Sequence, residues 1–398
     1  MAKQSWISLD KVILIIGLII YGTGFSLLYI IFAPLSRSIG LSTNQFGILI
    51  AISNVSLVFS SYFWGKKSQS MGRKPVFIIG LFSYAIAYAL FAFGIQIGLW
   101  GLLASWQLFS LLFIIRLLYG SLIGGIQPAA TAYISDTTDE TTRIKGMALI
   151  GMASGIGTII GPIVGGGLAF IHPIFPLYFG AGIAVLGGIL SMKFLIEPKQ
   201  QTPVSKTGNL KFYDKRIMPY LVGWALVFLV FTATQVIAAF FIEDRLGVAT
   251  QSNIIKATSI SLLSMALTTT LMQAVVLQII DVSPKTLLRL CFFIFGSALF
   301  AIPMVTSLAY FYFAFAGIGI AFSMVTPGLN AAATMSVEPH EQGEVAGLLS
   351  AAPVVGMIFG PAIGALLYTT NPSYPFLFGS VVAIVLGIYF QFVKIPNI

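Results

Sequence analysis

A chain of 398 residues with 58% hydrophobic and only 8% charged residues departs from soluble domains, in which charged residues alone run near ~25%. Its mean hydropathy of +0.97 requires lipid as the solvent for most of its length. An aromatic content of 13% excludes disorder, and a single cysteine, Cys291, excludes a disulfide scaffold. The formal charge of +9 would suit nucleic acid or anionic lipid, so its placement along the chain decides what it means.

A membrane-spanning helix takes ~20 apolar residues, and the apolar runs predict twelve spans: 12–35, 45–64, 75–97, 107–134, 146–170, 177–196, 219–242, 254–280, 286–307, 310–335, 345–368 and 376–393. The first is longer than a signal-peptide core and no small-residue cleavage site follows it, so it is expected to be retained. With the N-terminus in the cytoplasm, seventeen of the 21 basic residues fall in inner segments and three in outer loops, and Arg116 alone lies inside a span. That asymmetry predicts a multi-pass protein of the cell (inner) membrane with both termini cytoplasmic. It assigns the positive charge to topology and leaves no role for nucleic acid.

Glycines and prolines recur at an offset of 199 residues: Gly120 and Gly319, Pro128 and Pro327, Gly157 and Gly356, Gly161 and Gly360, Pro162 and Pro361, Gly165 and Gly364. The chain is therefore expected to be all-α, with two pseudo-symmetric six-helix bundles, residues 1–197 and 217–398, joined by a polar cytoplasmic linker, 198–216. Such duplication is characteristic of carriers that work around a midplane site.

Within the spans, a few residues carry chemistry. Tyr21, Phe25 and Tyr29 stand at helical spacing on the first. Between the second and third runs Gly65-Lys-Lys-Ser-Gln-Ser-Met-Gly-Arg-Lys74, where Gly65 and Gly72 permit a tight turn and Lys66, Lys67, Arg73 and Lys74 supply cations. On the fourth, Arg116, Tyr119, Gly120, Ile123 and Gln127 share one predicted helical face. A charge inside a span is a functional candidate by default. Counting from Trp106 places Arg116 roughly 15 Å below the outer aromatic belt, whereas counting from Asp136 places it near the outer boundary, so midplane and snorkelling positions both stand. The fifth span carries Gly157, Gly161, Pro162, Gly165 and Gly166, and the eleventh repeats the device with Gly356, Gly360, Pro361 and Gly364. Small residues allow close helix contact. Every acidic residue lies outside the middle of a span, and both histidines, His172 and His340, lie in loops.

These features together resemble the major facilitator superfamily over essentially the full length, most closely its twelve-span drug and metabolite antiporter branch. The loop from Gly65 to Lys74 is similar to that family's G-x-L-a-D-r-x-G-R-K loop, with Gln69 in place of the aspartate and Lys67 in place of the leucine. The family's R-x-x-Q-G motif is matched at Arg116 to Gly120, with Tyr119 replacing the glutamine. The resemblance implies a gate pair between Arg73 and Asp136. It also implies an antiporter role for the glycine motifs, assigned here to a rocking interface, and a cavity lined from spans 1, 4, 7 and 10. To Arg116, Tyr119, Gln127, Tyr21, Phe25 and Tyr29 that adds Phe228, Thr232 and Gln235 from span 7 and Thr326 and Asn330 from span 10.

The expected function is a secondary transporter exporting a small organic compound, a drug or an endogenous metabolite such as a siderophore, by alternating access. Protons are the coupling partner that the resemblance implies, with Glu243 and Asp244 the nearest carboxylates. The alternative is an importer or facilitator of the same fold, and a non-transporting receptor is a further one. No nucleophile, paired-carboxylate or metal-ligand cluster points to an enzyme, and no cofactor or metal is expected. A monomer is expected. Charge placement adds a latch: Glu338, Glu341 and Glu344, before span 11, would meet Lys66, Lys67 and nearby cations when the inner side closes.

Overall fold

The computed structural model describes residues 8–138, 140–198, 210–278, 283–338 and 341–393. Linker residues 199–209 and the loop residues Asp139, Asp281 and His340 lie outside the described set, as do the basic residues Lys3, Lys199, Lys206 and Lys394. Among the described residues the structure is entirely helical: α1 (Leu9–Ser38), α2 (Thr43–Met71), α3 (Arg73–Leu99), α4 (Ser105–Ile123), α5 (Ile126–Asp136), α6 (Glu140–Leu168), α7 (Phe175–Phe194), α8 (Met218–Leu246), α9 (Gln251–Gln278), α10 (Pro284–Ala301), α11 (Leu308–Met335), α12 (Gln342–Thr370) and α13 (Tyr374–Phe392). Twelve segments are long and apolar enough to cross a membrane, with α4 and α5 together forming one of 32 residues.

The predicted fourth span is thus interrupted, at Gly124 and Gly125. Pro128 removes the bond its N–H would make to the Gly124 carbonyl and its ring crowds that carbonyl, and two glycines are poor at holding a helix against such a defect. Pro327 occupies the equivalent repeat position inside an unbroken α11, where Ser323 and Met324 replace the glycines. The glycines also admit neighbours: a Cβ on Gly124 would lie 2.7 Å from the Ser61 backbone nitrogen, and one on Gly125 would lie 2.7 Å from Val76 Cγ1.

The chain divides into two compact units, one of residues Met1–Gln45 and Ile52–Val204, the other of Phe46–Ala51 and Ser205–Ile398. In the first, α6 lies along α1 through the glycine motif. A Cβ on Gly157 would approach the Ile19 carbonyl oxygen to 2.7 Å, and one on Gly161 would approach Ser26 Cβ to 2.6 Å. Gly165 meets Leu27 in the same seam, Gly166 is half-buried, and Pro162 sits inside α6 without ending it. The second unit repeats the seam between α12 and α8. There Gly356 faces the backbone of Ala225 and Leu229, a Cβ on Gly364 would lie 2.9 Å from Ala233 Cα, and Pro361 lies inside α12. The glycines thus form a close helix contact within each unit, since two helix backbones approach this closely only where both surfaces are stripped of side chains.

Replacing Gly161 or Gly364 by Leu is expected to lower the apparent Tm and the monodisperse yield, since overpacking costs about 1–3 kcal/mol. Gly151, on the same helix as Gly161 but with open space beside it, is the control: Gly151→Leu should leave both measurements unchanged.

Candidate functional site

In the first unit the sequence builds an aromatic cluster around one charge. Arg116 is the twelfth residue of α4 and 2% exposed, which removes the snorkelling position. Its guanidinium carbon lies 4.7 Å from the centroid of the Tyr119 ring and 5.4 Å from that of Phe91. Tyr29 and Tyr88 are close enough to interact with it electrostatically. Tyr119 in turn packs against Tyr84 and Tyr88, with ring centroids at 6.2 and 5.8 Å. Tyr21 reaches Tyr84 at 6.5 Å, and Phe25 reaches Tyr29 at 5.5 Å. Tyr21 and Phe25 are half-buried, whereas Tyr29 is buried. Gln127, expected on the Arg116 face, is exposed on α5, beyond the break that ends the α4 register.

Two features lock α1 to α3 here. The Tyr88 hydroxyl donates to the Gly24 carbonyl, and the Tyr84 hydroxyl rests where any Cβ on residue 24 would stand. Tyr84 Oη is buried and has no hydrogen-bond partner among the described residues. Tyr84, Tyr88 and Phe91 stand on α3, outside the spans 1, 4, 7 and 10 expected to line a cavity. Their i, i+4, i+7 spacing was the available signal.

At the α2–α3 end of this unit, Arg73 Nε donates to Asp136 Oδ2 at 2.9 Å and Arg73 Nη1 to Ser68 Oγ at 2.7 Å. Both charged side chains are largely buried, at 11% and 8% exposure. Lys66 and Lys67 are exposed, Lys74 is half-buried, and Gly65 lies against Pro128. A residue absent from the sequence reading completes the corner. Glu197 accepts from the backbone nitrogens of Arg73 at 2.6 Å and Lys74 at 2.9 Å, a carboxylate at a helix N-terminus where charge and orphan donors both favour it. Gly72, with φ +99°, faces that carboxylate so closely that a Cβ would lie 2.8 Å from it. Tyr133 donates to Asp10 Oδ2 and lies 2.8 Å from the Ile196 carbonyl oxygen, tying the same end of α7 to α1.

In the second unit the expected lining residues separate. Thr232 is buried in the α8–α12 seam, its hydroxyl shared between the Phe228 carbonyl at 2.8 Å and the Gly356 carbonyl at 3.1 Å. Phe228 packs at an angle against the rings of Trp224, Phe231 and Phe322. Asn330 is exposed and accepts from Trp224 Nε1 at 3.2 Å, while Gln235 and Thr326 are half-buried.

The three glutamates of the expected latch have partners in their own unit. Glu341 receives both Nη groups of Arg216, at 2.8 and 2.9 Å, and the Glu338 backbone nitrogen at 3.0 Å. Glu344 receives the Leu210 backbone nitrogen at 2.8 Å. Arg216 also holds Asp214. The chain just before α8 thus supplies donors to Glu341 and Glu344 within the same unit. Hydrogen bonds from Arg216 hold the Asp214 carboxyl below its usual range, and Asp214 followed by Glu341 raises Arg216 above its own. Glu243 and Asp244 occupy the last turn of α8, where Asp244 is exposed and accepts from Tyr368 Oη at 2.8 Å.

The sequence matches the profile of the Major Facilitator Superfamily over residues 14–281 and 248–397. The chain belongs to that superfamily. It is a multi-pass membrane transporter and not an enzyme. It is 26% identical over 392 residues to multidrug resistance protein 2 of Bacillus subtilis (strain 168), covering 94% of this chain and 92% of the relative. It is 28% identical over 367 residues to the class B tetracycline resistance protein of Escherichia coli, covering 87% and 84%. Among solved structures, the nucleoside transporter NupG superposes with a TM-score of 0.72 over 96% of this chain and 98% of its own, at 18% identity, a likeness of fold alone.

The clasp of Asp214, Arg216 and Glu341 should hold residues 210–217 from alkaline pH down to the lowered range of Asp214. A carboxylate with a depressed pKa contributes above its unfolded value and loses its contribution as pH falls through the folded one. Arg216→Ala is expected to speed hydrogen exchange of residues 210–217 about two- to fivefold at pH 7, the scale of exposed ion pairs. Wild-type protection, corrected for intrinsic exchange, should be the same at pH 5 and pH 8.

Proposed function

We propose that this transporter exports an amphipathic small organic compound, a drug or an endogenous metabolite such as a siderophore, by alternating access across the inner membrane. The buried Arg116 within its aromatic cluster carries this reading: flat apolar faces with one fixed polar anchor suit a molecule of mixed character. Relatives named for multidrug and tetracycline resistance, matched over most of their length, support the outward direction. The basic bias of the inner segments supports cytoplasmic termini, and the protein is taken to work as a monomer. Tyr21, Phe25, Tyr29, Tyr119 and Arg116 are assigned to the substrate site, and Arg73 with Asp136 to its gate.

Proton coupling through Glu243 and Asp244 draws no support from their position. The middle of the 29-residue α8 is near Thr232, about 16 Å along the helix from Glu243. Among the described residues every Asp and Glu stands at a helix end or between helices, which favours a second reading, a facilitator of the same fold.

Efflux from an energised, pump-deficient strain expressing the protein tests the export reading, with the medium assayed by untargeted metabolite analysis and for added drugs. Outward movement against a gradient is expected. Equilibration alone would support the facilitator. The Glu243→Gln, Asp244→Asn double variant is expected to keep at least half of the wild-type rate, and a loss of tenfold or more would restore these residues to the coupling path.

A further inference from the structure

Two adjoining cavities run along one face of α2. One, of about 390 Å³, lies at mid-helix between α2 and α4, where Val55, Phe59, Phe63 and Leu117 line it together with three serines. The other, of about 630 Å³, lies over the last turns of α2, where Tyr62 and Phe63 meet Lys66 and Lys67. Phe63 lines both. Positions 55, 59, 63, 66 and 70 follow one another at steps of three and four, on one helical face, so the cavities form a single groove. Its aromatic residues are large and apolar yet open, with Phe59 73%, Tyr62 78% and Phe63 58% exposed. A contiguous apolar surface of this kind marks a contact with lipid or with another protein.

The groove changes character along its length. At mid-helix its hydroxyls are engaged with backbone: Ser56 donates to the Ile52 carbonyl at 2.9 Å, Ser60 to that of Gly120 at 2.6 Å and Ser121 to that of Leu117 at 2.8 Å. What remains there is hydrocarbon and aromatic surface. The other end is cationic. Lys66 and Lys67 are exposed, and among the described residues neither is held in an ion pair. The carboxylates described at this corner are engaged, Asp136 by Arg73 and Glu197 by the α3 backbone. An apolar groove that ends in two ammonium groups is complementary to a ligand with an anionic head and a hydrocarbon body. Length selects among such ligands. Lys66 follows Val55 by eleven residues, about 16 Å along the helix, and half of a ~30 Å hydrocarbon core is one leaflet. At 29 residues, or about 43 Å, α2 is long enough to keep both lysines in the headgroup layer while Val55 reaches the bilayer centre.

We propose that this groove binds an anionic phospholipid, its phosphate held by Lys66 and Lys67 and one acyl chain laid along Phe63, Phe59 and Val55. The site is separate from the aromatic cluster around Arg116 and serves an exporter and a facilitator alike. Each lysine near a membrane surface favours an anionic lipid by about fivefold. A zwitterionic lipid gains less, because its amine carries a second positive charge toward the same lysines. A free anion of small size would use the lysines and leave the apolar length of the groove unfilled.

Photocrosslinking from within the groove tests this. Phe59→p-benzoylphenylalanine protein is placed in vesicles of phosphatidylglycerol and phosphatidylethanolamine in equal amounts with matched chains, irradiated, and its lipid adducts are identified by mass. The control carries the same photoreactive residue at Phe313, also 73% exposed, in a cavity between α10 and α11 with no lysine in its lining. Adducts at position 59 are expected to favour phosphatidylglycerol at least about fivefold, and those at position 313 less than about twofold. Adding Lys66→Gln with Lys67→Gln should bring position 59 to the ratio of the control, whereas Lys66→Arg with Lys67→Arg should keep the preference. A ratio at position 59 equal to that at position 313 overturns the proposal, as does one that the glutamine pair leaves unchanged. Crosslinks between two protein chains in place of lipid adducts would give the groove to a second copy and overturn it as well. The comparison of positions 59 and 313 keeps both lysines, so it does not depend on the folding of a lysine variant.

Discussion

A guanidinium cannot be left bare in hydrocarbon, and much of the first unit follows from that constraint. Insertion of an arginine at a helix centre costs about 2.5–3.5 kcal/mol, whereas a desolvated cation–π contact contributes up to ~2 kcal/mol. The Tyr119 and Phe91 rings over Arg116 thus offset a large part of that cost. To bring those rings in, α3 must press against α1, which requires a residue without a side chain at Gly24 beneath the Tyr84 hydroxyl. The substitution of tyrosine for the family's glutamine at position 119 exchanges a hydrogen-bond partner for a stacking one.

Charge elsewhere is kept to the helix ends, where it ties the connecting segment to each unit separately. Glu197, just after α7, caps α3 through two backbone nitrogens. Residues 210–216, just before α8, bind the start of α12 through Glu344 and Glu341. Each unit thereby holds its own end of the connection, and each is closed internally by a glycine seam, α1 with α6 and α8 with α12. Small residues make these seams by dispersion and close approach, since lipid provides no hydrophobic drive between helices.

The sequence made the twelve spans and the glycine repeat legible because hydropathy and punctuation are local signals. It did not reveal the break at Gly124, which depends on a proline four residues later acting on a glycine carbonyl, while the same proline in α11 does nothing visible. Arg116 was legible as an exception to composition, but its aromatic partners on α3 were not, since they are neighbours only once three helices pack. The glutamates around the start of α12 are legible as a charge cluster. The partner of Glu341, Arg216, lies more than a hundred residues away in sequence, and no periodicity connects the two. Thr232 shows the same limit: a polar residue on a span reads as cavity lining, whereas its buried hydroxyl bonds backbone carbonyls of its own helix and of the adjoining one.

The central claim is that Arg116 is present for transport and that the fold would be served as well by an apolar side chain. Replacing a buried charge by a well-packed apolar residue of similar length is often neutral or stabilising, and a residue retained for function commonly costs stability. The direct measurement is the apparent Tm of purified Arg116→Met beside wild type, with cargo efflux measured on the same preparations. A Tm equal to or above wild type with efflux abolished is the predicted result. A fall in Tm of several degrees with the remaining folded protein still transporting would contradict the account and make Arg116 a structural residue.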